Sequence, residues 1–257
     1  YVDTLEQQRK IDQKIKDVVK NTLGITSNTA DDVKVRRIHD WICDNFTYSK
    51  DENDPGNSCY RAMFKGTTKC TGYSAVFQKM ATVAGLESHI VASSNHAWNL
   101  VKLNNSWYTI DTTWDDSLNT YQYYLCGYQT HDAYNTVGQF VVNYYGIKPA
   151  DKSYARLSQK EIKLKQGDSK KVTLNGFSDS RISKSAEEEE IITSEGIKIA
   201  IQKETFSGIE VKWRTSNNCV TVKNGKIKAK RKGKARVVAS VKSGGLTQQF
   251  ECVVNVK

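Results

Sequence analysis

Apolar residues recur at helical spacing twice near the start of the chain: Ile11, Ile15, Val18, Val19 and Leu23 within residues 5–23, then Val35, Ile38, Ile42 and Phe46 within residues 31–46. These periods predict two amphipathic helices. Residues 29–32 (Thr-Ala-Asp-Asp) would supply a cap and first-turn acids for the second. The Gly-, Asn- and Asp-rich stretch 48–66 reads as a loop, and a third helix is predicted over about 70–84, with the stripe Tyr73, Phe77, Met80, Ala81 and Ala84 ended by Gly85. Strand-like runs follow at 88–92, 96–103, 106–110 and 121–126. Helices first and strands afterwards describe an α+β domain.

Past about residue 157 the helical period disappears. Runs rich in β-branched residues at 161–165, 171–174, 197–201, 209–213, 220–223, 227–230, 236–241 and 248–256 are separated by turn signals such as Asn175-Gly176, Asn224-Gly225 and Ser243-Gly244-Gly245. This pattern predicts a small all-β sandwich. The expected boundary places one domain at 1–154 and a second at 155–257, with Pro149 in the connector; residues 178–206, including the run Glu187–Glu190, are expected to form an exposed loop plus one strand.

Charge sharpens the division. The chain of 257 residues has a formal net charge of +10, yet residues 1–150 carry 15 Lys+Arg against 16 Asp+Glu, while residues 151–257 carry 23 against 12. The excess belongs to the β part, so a uniformly basic nucleic-acid-binding protein is disfavoured. Eight Lys and Arg fall within residues 223–236. They read either as a solvated strand face or as a surface for a nucleic acid or an anionic wall polymer. With 38% hydrophobic residues a core is affordable in both parts, and no window reaches the roughly 18 apolar residues of a membrane span. The chain opens on Tyr1 rather than Met, as expected of a processed or trimmed product.

The chemistry is expected in the first domain, which holds Cys43, Cys59, Cys70 and Cys126 and all four histidines, His39, His89, His96 and His131. Cys-x-x-Cys, His-x-x-x-His and phosphate-cradling glycine patterns are absent from the sequence, so no metal and no cofactor are expected. A nucleophilic cysteine remains, and Cys70 has the best surroundings: it opens the third helix, where the helix dipole favours thiolate. Cys43, inside a helix beside Trp41 and Ile42, reads as a buried core thiol. Asn104-Asn105 is a two-residue hairpin turn in this reading. Pairing Leu103 with Ser106 makes His96 face Thr113 and the diagonal neighbour of Asp111, within reach of an imidazole and a carboxylate. Trp98, Trp107 and Thr109 share that face.

Tyr60, Gly66, the run Lys69-Cys70-Thr71-Gly72-Tyr73-Ser74-Ala75-Val76-Phe77, then Ala84-Gly85-Leu86, Asn95-His96-Ala97-Trp98-Asn99-Leu100-Val101 and Trp107-Tyr108-Thr109-Ile110-Asp111-Thr112-Thr113-Trp114-Asp115-Asp116 together resemble the bacterial transglutaminase-like superfamily over about residues 30–130. The resemblance implies a papain-like fold and triad: Cys70 the nucleophile, His96 the general base, Asp111 its orienter. Tyr60, Trp98 and Trp114 become the expected substrate-binding residues. Lys69 departs from the small or aliphatic residue common before the family's cysteine, which would alter substrate preference. Residues 213–239 resemble a bacterial immunoglobulin-like (group 2) module, a spacer or adhesion unit of secreted and cell-surface proteins. The resemblances imply a cysteine enzyme acting on protein or peptide amide bonds through a thioester, most simply a peptidase or amidase. A protein-glutamine transamidase and a non-catalytic cell-surface adhesion protein are the alternatives. The implied partners are a protein or peptide substrate and, through the basic module, a cell-wall polymer, with a secreted or cell-surface location.

Overall fold

The computed structural model describes residues 3–51, 56, 58–128, 141, 145–177, 186–192, 198–206 and 209–257, with the side chains of 178–208 outside that set. His131 lies outside the described residues. The chain divides into two compact units, Tyr1–Tyr154 and Ala155–Lys257.

In the first unit, α1 (Leu5–Asp17) starts from a capping box in which the Thr4 hydroxyl accepts from the Gln7 N–H and the Gln7 side chain accepts from the Thr4 N–H. The predicted helix does not run unbroken to Leu23: its end is a π-helical turn, Val18–Thr22, that keeps Val18 and Val19 buried. Helix α2 (Asp31–Asn45) is capped by Ala30 without a side-chain bond, because the Thr29 hydroxyl accepts from the Thr26 N–H instead. Its apolar stripe is buried as expected, but so are Arg36, Arg37, His39 and Asp40. The polar side of this helix is therefore interior.

The stretch read as a loop contains β1 (Thr47–Tyr48), helix α3 (Cys59–Lys65), capped by the Ser58 hydroxyl, and β2 (Thr67–Thr68), parallel to β1. Helix α4 (Cys70–Val83) buries Tyr73, Val76, Phe77, Met80 and Ala81 and packs against α1, α2 and α3 on one side and the sheet on the other. Gly85 ends it at φ 75° in a Schellman arrangement, with Leu86 N–H donating to Ala81 C=O and Gly85 N–H to Thr82 C=O.

Strands β3 (Ser88–Ala92), β4 (Ala97–Leu103) and β5 (Ser106–Ile110) form an antiparallel sheet in chain order. Asn104 and Asn105 both take positive φ, 48° and 63°, as a type I′ turn requires, and the register pairs Leu103 with Ser106 through Asn99 with Ile110. The ladder stops there. His96 precedes β4, and Thr113, its expected partner, lies in helix α5 (Thr112–Leu118). Residues 121–126 are turns rather than a strand, and only Cys126 makes a bridge, to Thr109.

The second unit is all-β. A six-stranded sheet is ordered β10 (Ala186–Ile192), β11 (Lys198–Phe206), β12 (Ile209–Thr215), β15 (Gly233–Ser243), β16 (Leu246–Val256) and β7 (Glu161–Leu164). A three-stranded sheet is ordered β13 (Val220–Lys223), β14 (Lys226–Ala229) and β8 (Ser169–Lys171), with a short pair of β6 (Arg156–Leu157) and β9 (Leu174–Asn175). Two expectations are corrected. The strand expected at 171–174 is split between β8 and β9, and the acidic run lies not in a loop but on β10, paired with β11 as a hairpin arm. Val220, Val222, Ile227 and Ala229 are buried between exposed Thr221, Lys223, Lys226 and Lys228, the alternation of a half-buried sheet.

Gly72 fixes the approach of β2 to α4. A Cβ there would lie 1.9 Å from the Oγ1 of fully buried Thr68, whose hydroxyl donates to Gly56 C=O. Alanine is worth about 1 kcal/mol over glycine in a helix, but overpacking costs about 1–3 kcal/mol. Gly72→Ala is expected to lower stability by up to about 2 kcal/mol, read as a lower urea midpoint at unchanged slope.

Candidate functional site

Cys70 is the first residue of α4, behind an extended Lys69, with 8% of its surface exposed. The helix begins here because β2 delivers the chain in extended form and Gly72 permits close packing on Thr68. In the first turn the Thr71 N–H meets the sulfur, while those of Gly72 and Tyr73 donate to the Lys69 C=O, and the helix dipole favours negative charge there. Burial works to raise the thiol pKa, but a hydrogen bond from His96, a backbone bond from Ala97, the His96 charge and a backbone bond from Thr71 outweigh it, so the thiol lies below its ordinary range.

His96 stands at the entry to β4, its backbone C=O accepting from the N–H and hydroxyl of Ser93. Its Nε2 is 2.6 Å from Asp111 Oδ2. Burial works to lower the His96 pKa, yet the bonds to Asp111 and Cys70 raise it to about 9. The imidazole lies between two indoles, Trp114 at 4.8 Å and 16° and Trp98 at 5.8 Å and 18°, whose π faces favour the cationic ring. Asp111 is 2% exposed and is the N-cap of α5. Its Oδ1 accepts from the N–H groups of Thr113 and Trp114, both at 3.1 Å. A lowered thiol beside a raised imidazole makes a thiolate–imidazolium pair, the form a cysteine nucleophile requires.

A second cysteine–histidine–carboxylate set lies deeper. His39, fully buried, has Nδ1 at 3.0 Å from Asp40 Oδ1 and Nε2 at 3.0 Å from Asp115 Oδ2, with the Cys43 sulfur 3.9 Å from Nε2. Here burial dominates the sulfur and pushes the Cys43 thiol up to about 11. Cys43 is thus the buried core thiol the sequence predicts. All six cysteines are free thiols, and burial likewise lifts Cys59 to about 11 and Cys126 above the range of a usable nucleophile. The His89 ring lies tilted against Trp107, with centroids 5.0 Å apart and planes at 37°. Among the described residues no group of three or more His, Cys, Asp or Glu is arranged to hold a metal ion.

Of the residues singled out in the sequence, the structure brings Cys70, His96, Asp111, Trp98 and Trp114 around one imidazole, while Tyr60, half-buried on α3, stacks on Phe64 at 4.6 Å. Sequence reading overlooks two groups that shape the site. The Tyr73 hydroxyl donates to Asp116 Oδ2 at 2.5 Å, tying the cysteine helix to α5. His39 reaches Asp115 across 76 residues of sequence. A signal for α5 was present in Asp111 followed by Asp115, a capping residue with an acid in the first turn, but nothing local points to its partners.

Residues 16–112 match the sequence profile of the Transglutaminase-like superfamily, a span that includes Cys70, His96 and Asp111. Kyphoscoliosis peptidase from Mus musculus and from Homo sapiens are each 30% identical to the chain over an alignment covering 33% of it. The chain spans only 16% of the length of each of these relatives. A solved structure of a TGase is 20% identical and covers 44% of this chain and 34% of its own, with a TM-score of 0.39. No helix among the described residues is long and apolar enough to cross a membrane. The first unit, with its helices followed by a three-stranded sheet, carries a transglutaminase-like domain.

Proposed function

We propose that the first unit is a cysteine enzyme that cleaves protein or peptide amide bonds with Cys70 as nucleophile, His96 as acid–base and Asp111 as orienter. The single observation that carries this reading is the Cys70–His96–Asp111 chain of hydrogen bonds, with the thiol lowered and the imidazole raised. The thiolate attacks the amide carbonyl, and the oxyanion is met by the Cys70 backbone N–H at the helix start. His96 gives its proton to the departing nitrogen as the C–N bond breaks, leaving a thioester. A water then loses a proton to His96 and attacks the thioester, releasing acid and thiol. The peptidase name of the relatives supports hydrolysis over transfer to an amine. Tyr60 and half-buried Trp114 are assigned to substrate contact, while Trp98, 4% exposed, serves chiefly as the floor beneath the His96 ring.

The second unit is read as an immunoglobulin-like module that holds the enzyme on an extracytoplasmic, anionic wall polymer. Lys223 pairs with Lys226, and Lys226 with Lys171, so three like charges stand in one row across three strands on the exposed face. Directly opposed like charges are unfavourable; the Lys171 ammonium donates to the Asn224 C=O, and an anion lying over the row would offset the repulsion further.

Cys70→Ala is expected to abolish peptide hydrolysis and the labelling of this site by iodoacetamide; residual turnover at the wild-type rate would remove the assignment. Casein, peptidoglycan peptides and a labelled amine acceptor, assayed side by side, separate hydrolysis from transfer. The kcat/KM profile should be bell-shaped. It rises as the thiol ionises below its ordinary pKa and falls near pH 9, where His96 loses the proton destined for the leaving amine. Asp111→Asn keeps an oxygen for the α5 cap but turns an N–H toward His96 Nε2, forcing the wrong tautomer. A loss of about 10²–10⁴-fold in kcat is expected, with a melting temperature close to wild type. For the second unit, retention of the full chain on cell-wall material should weaken with salt and be lost in a Lys171→Gln/Lys223→Gln/Lys226→Gln variant; salt-independent retention would count against the polymer.

A further inference from the structure

Beyond the triad, the buried polar side of α2 leads directly to Asp111. His39 Nε2 meets Asp115 Oδ2 at 3.0 Å; Asp115 Oδ1 accepts from the Tyr123 N–H at 2.9 Å; the Tyr123 C=O accepts from the Asp111 N–H at 3.1 Å. Asp115 N–H in turn donates to Asp111 C=O at 3.1 Å. The Asp115 carboxylate thus joins α2, the 121–126 turns and the residue that orients His96. On its other side His39 Nδ1 meets Asp40 Oδ1, which also accepts from the Tyr121 hydroxyl, while Asp40 Oδ2 accepts from Arg36. Tyr121 and Tyr124 wall the His39 ring at 5.3 and 4.9 Å. Both ring nitrogens face carboxylate oxygens, and only an imidazolium donates from both. Arg36, His39, Asp40 and Asp115 then form a charge-neutral buried set.

We propose that His39, acting through Asp115, is a positioning residue of the Cys70 site: it holds the start of α5 in place and thereby keeps the Asp111 carboxylate on His96. The proposal rests on the triad reading above. His39 touches neither substrate nor Cys70 in this account, and its effect must pass through Asp111. Outer partners that orient a site residue typically contribute 10–100-fold to activity.

The two amides that imitate the two ring nitrogens separate positioning from general stability. His39→Gln can still donate to Asp115 from the Nε2 position, whereas His39→Asn reaches Asp40 but not Asp115. With iodoacetamide as probe and Cys70 labelling followed by peptide mass spectrometry across pH, His39→Asn should react about tenfold or more slowly at pH 6.5, its profile moved toward that of an ordinary thiol near ~8.5. His39→Gln should stay within about threefold of wild type. In an Asp111→Asn background the Gln–Asn difference should vanish, because the route to the site is already broken. Equal reactivity of the two variants, or a difference undiminished in that background, overturns the proposal. Should His39→Asn fail to fold by circular dichroism, Asp115→Asn carries the test. Its Oδ1 can still accept from the Tyr123 N–H, but its NH2 faces the Nε2–H of the His39 imidazolium and takes no bond from it, so a folded Asp115→Asn chain labelled about tenfold more slowly supports the proposal, and one within about threefold of wild type overturns it. A wild-type Cys70 no faster than an ordinary thiol removes the triad reading and this proposal together; normal wild-type reactivity with indistinguishable His39 variants removes the proposal alone.

Discussion

One carboxylate carries two structural duties in the first unit. Asp111 Oδ1 closes the start of α5 by accepting two backbone N–H bonds, and Oδ2 holds the His96 ring. The orientation of the imidazole is therefore set by where a seven-residue helix begins. A helix this short is not stable alone, since nucleation costs more than so few bonds return. It exists because its carboxylates are fastened elsewhere: Asp111 to His96 ahead of β4, Asp115 to His39 on α2, and Asp116 to Tyr73 on α4. Asp115 and Asp116, adjacent on the helix, point about 100° apart, and Asp111 stands before the first turn as the N-cap in extended backbone. The helix is held from several sides, and the cysteine-bearing α4 is one of the bodies holding it.

This arrangement explains why so much polarity is buried in α2. An amphipathic helix ordinarily turns its charges to water, but here Arg36, His39 and Asp40 are interior. Removing ions from water is costly unless they are paired and hydrogen-bonded. The costs are offset here by mutual satisfaction, Arg36 on Asp40, Asp40 on His39 and Tyr121, His39 on Asp115. What burial of these groups adds over an apolar core is direction. A leucine at position 39 could fill the space but could not dictate where the Asp115 carboxylate lies.

The parts of this site that were legible in the sequence are those fixed by local geometry. Cys70 at a helix start follows from the apolar stripe of α4 and its glycine stop; the His96–Asp111 relation follows from the Asn104–Asn105 turn, which sets the register over five pairs. Even there the reason differs in detail. Asp111 reaches His96 not from a continuing strand but from a helix cap, and extended spacing merely carries it to the same place. Helix α3 was hidden because its seven residues follow a Gly- and Asn-rich stretch and present less than two full turns of pattern. Residues 121–126 have strand-like composition, but they are held as turns by the Asp115 and Asp111 bonds to Tyr123. The His39–Asp115 contact, joining residues 76 apart, has no local signature at all.

Two cysteine–histidine–carboxylate sets in one small unit show what chemistry asks beyond residue types. Cys43 and Cys70 each have an imidazole within reach and an aspartate behind it. They differ in helix position and access. Cys43 lies within the last turn of α2, where the dipole disfavours an anion, and its imidazole is committed to two carboxylates; burial then holds the thiol near 11. Cys70 lies in the first turn of α4, its imidazole has one carboxylate, and backbone bonds from Ala97 and Thr71 meet the sulfur. A thiolate needs donors, and a histidine already held by two carboxylates has none to spare. The second aspartate at His39 thus directs that histidine to architecture, and its absence from His96 leaves one nitrogen for the reacting sulfur.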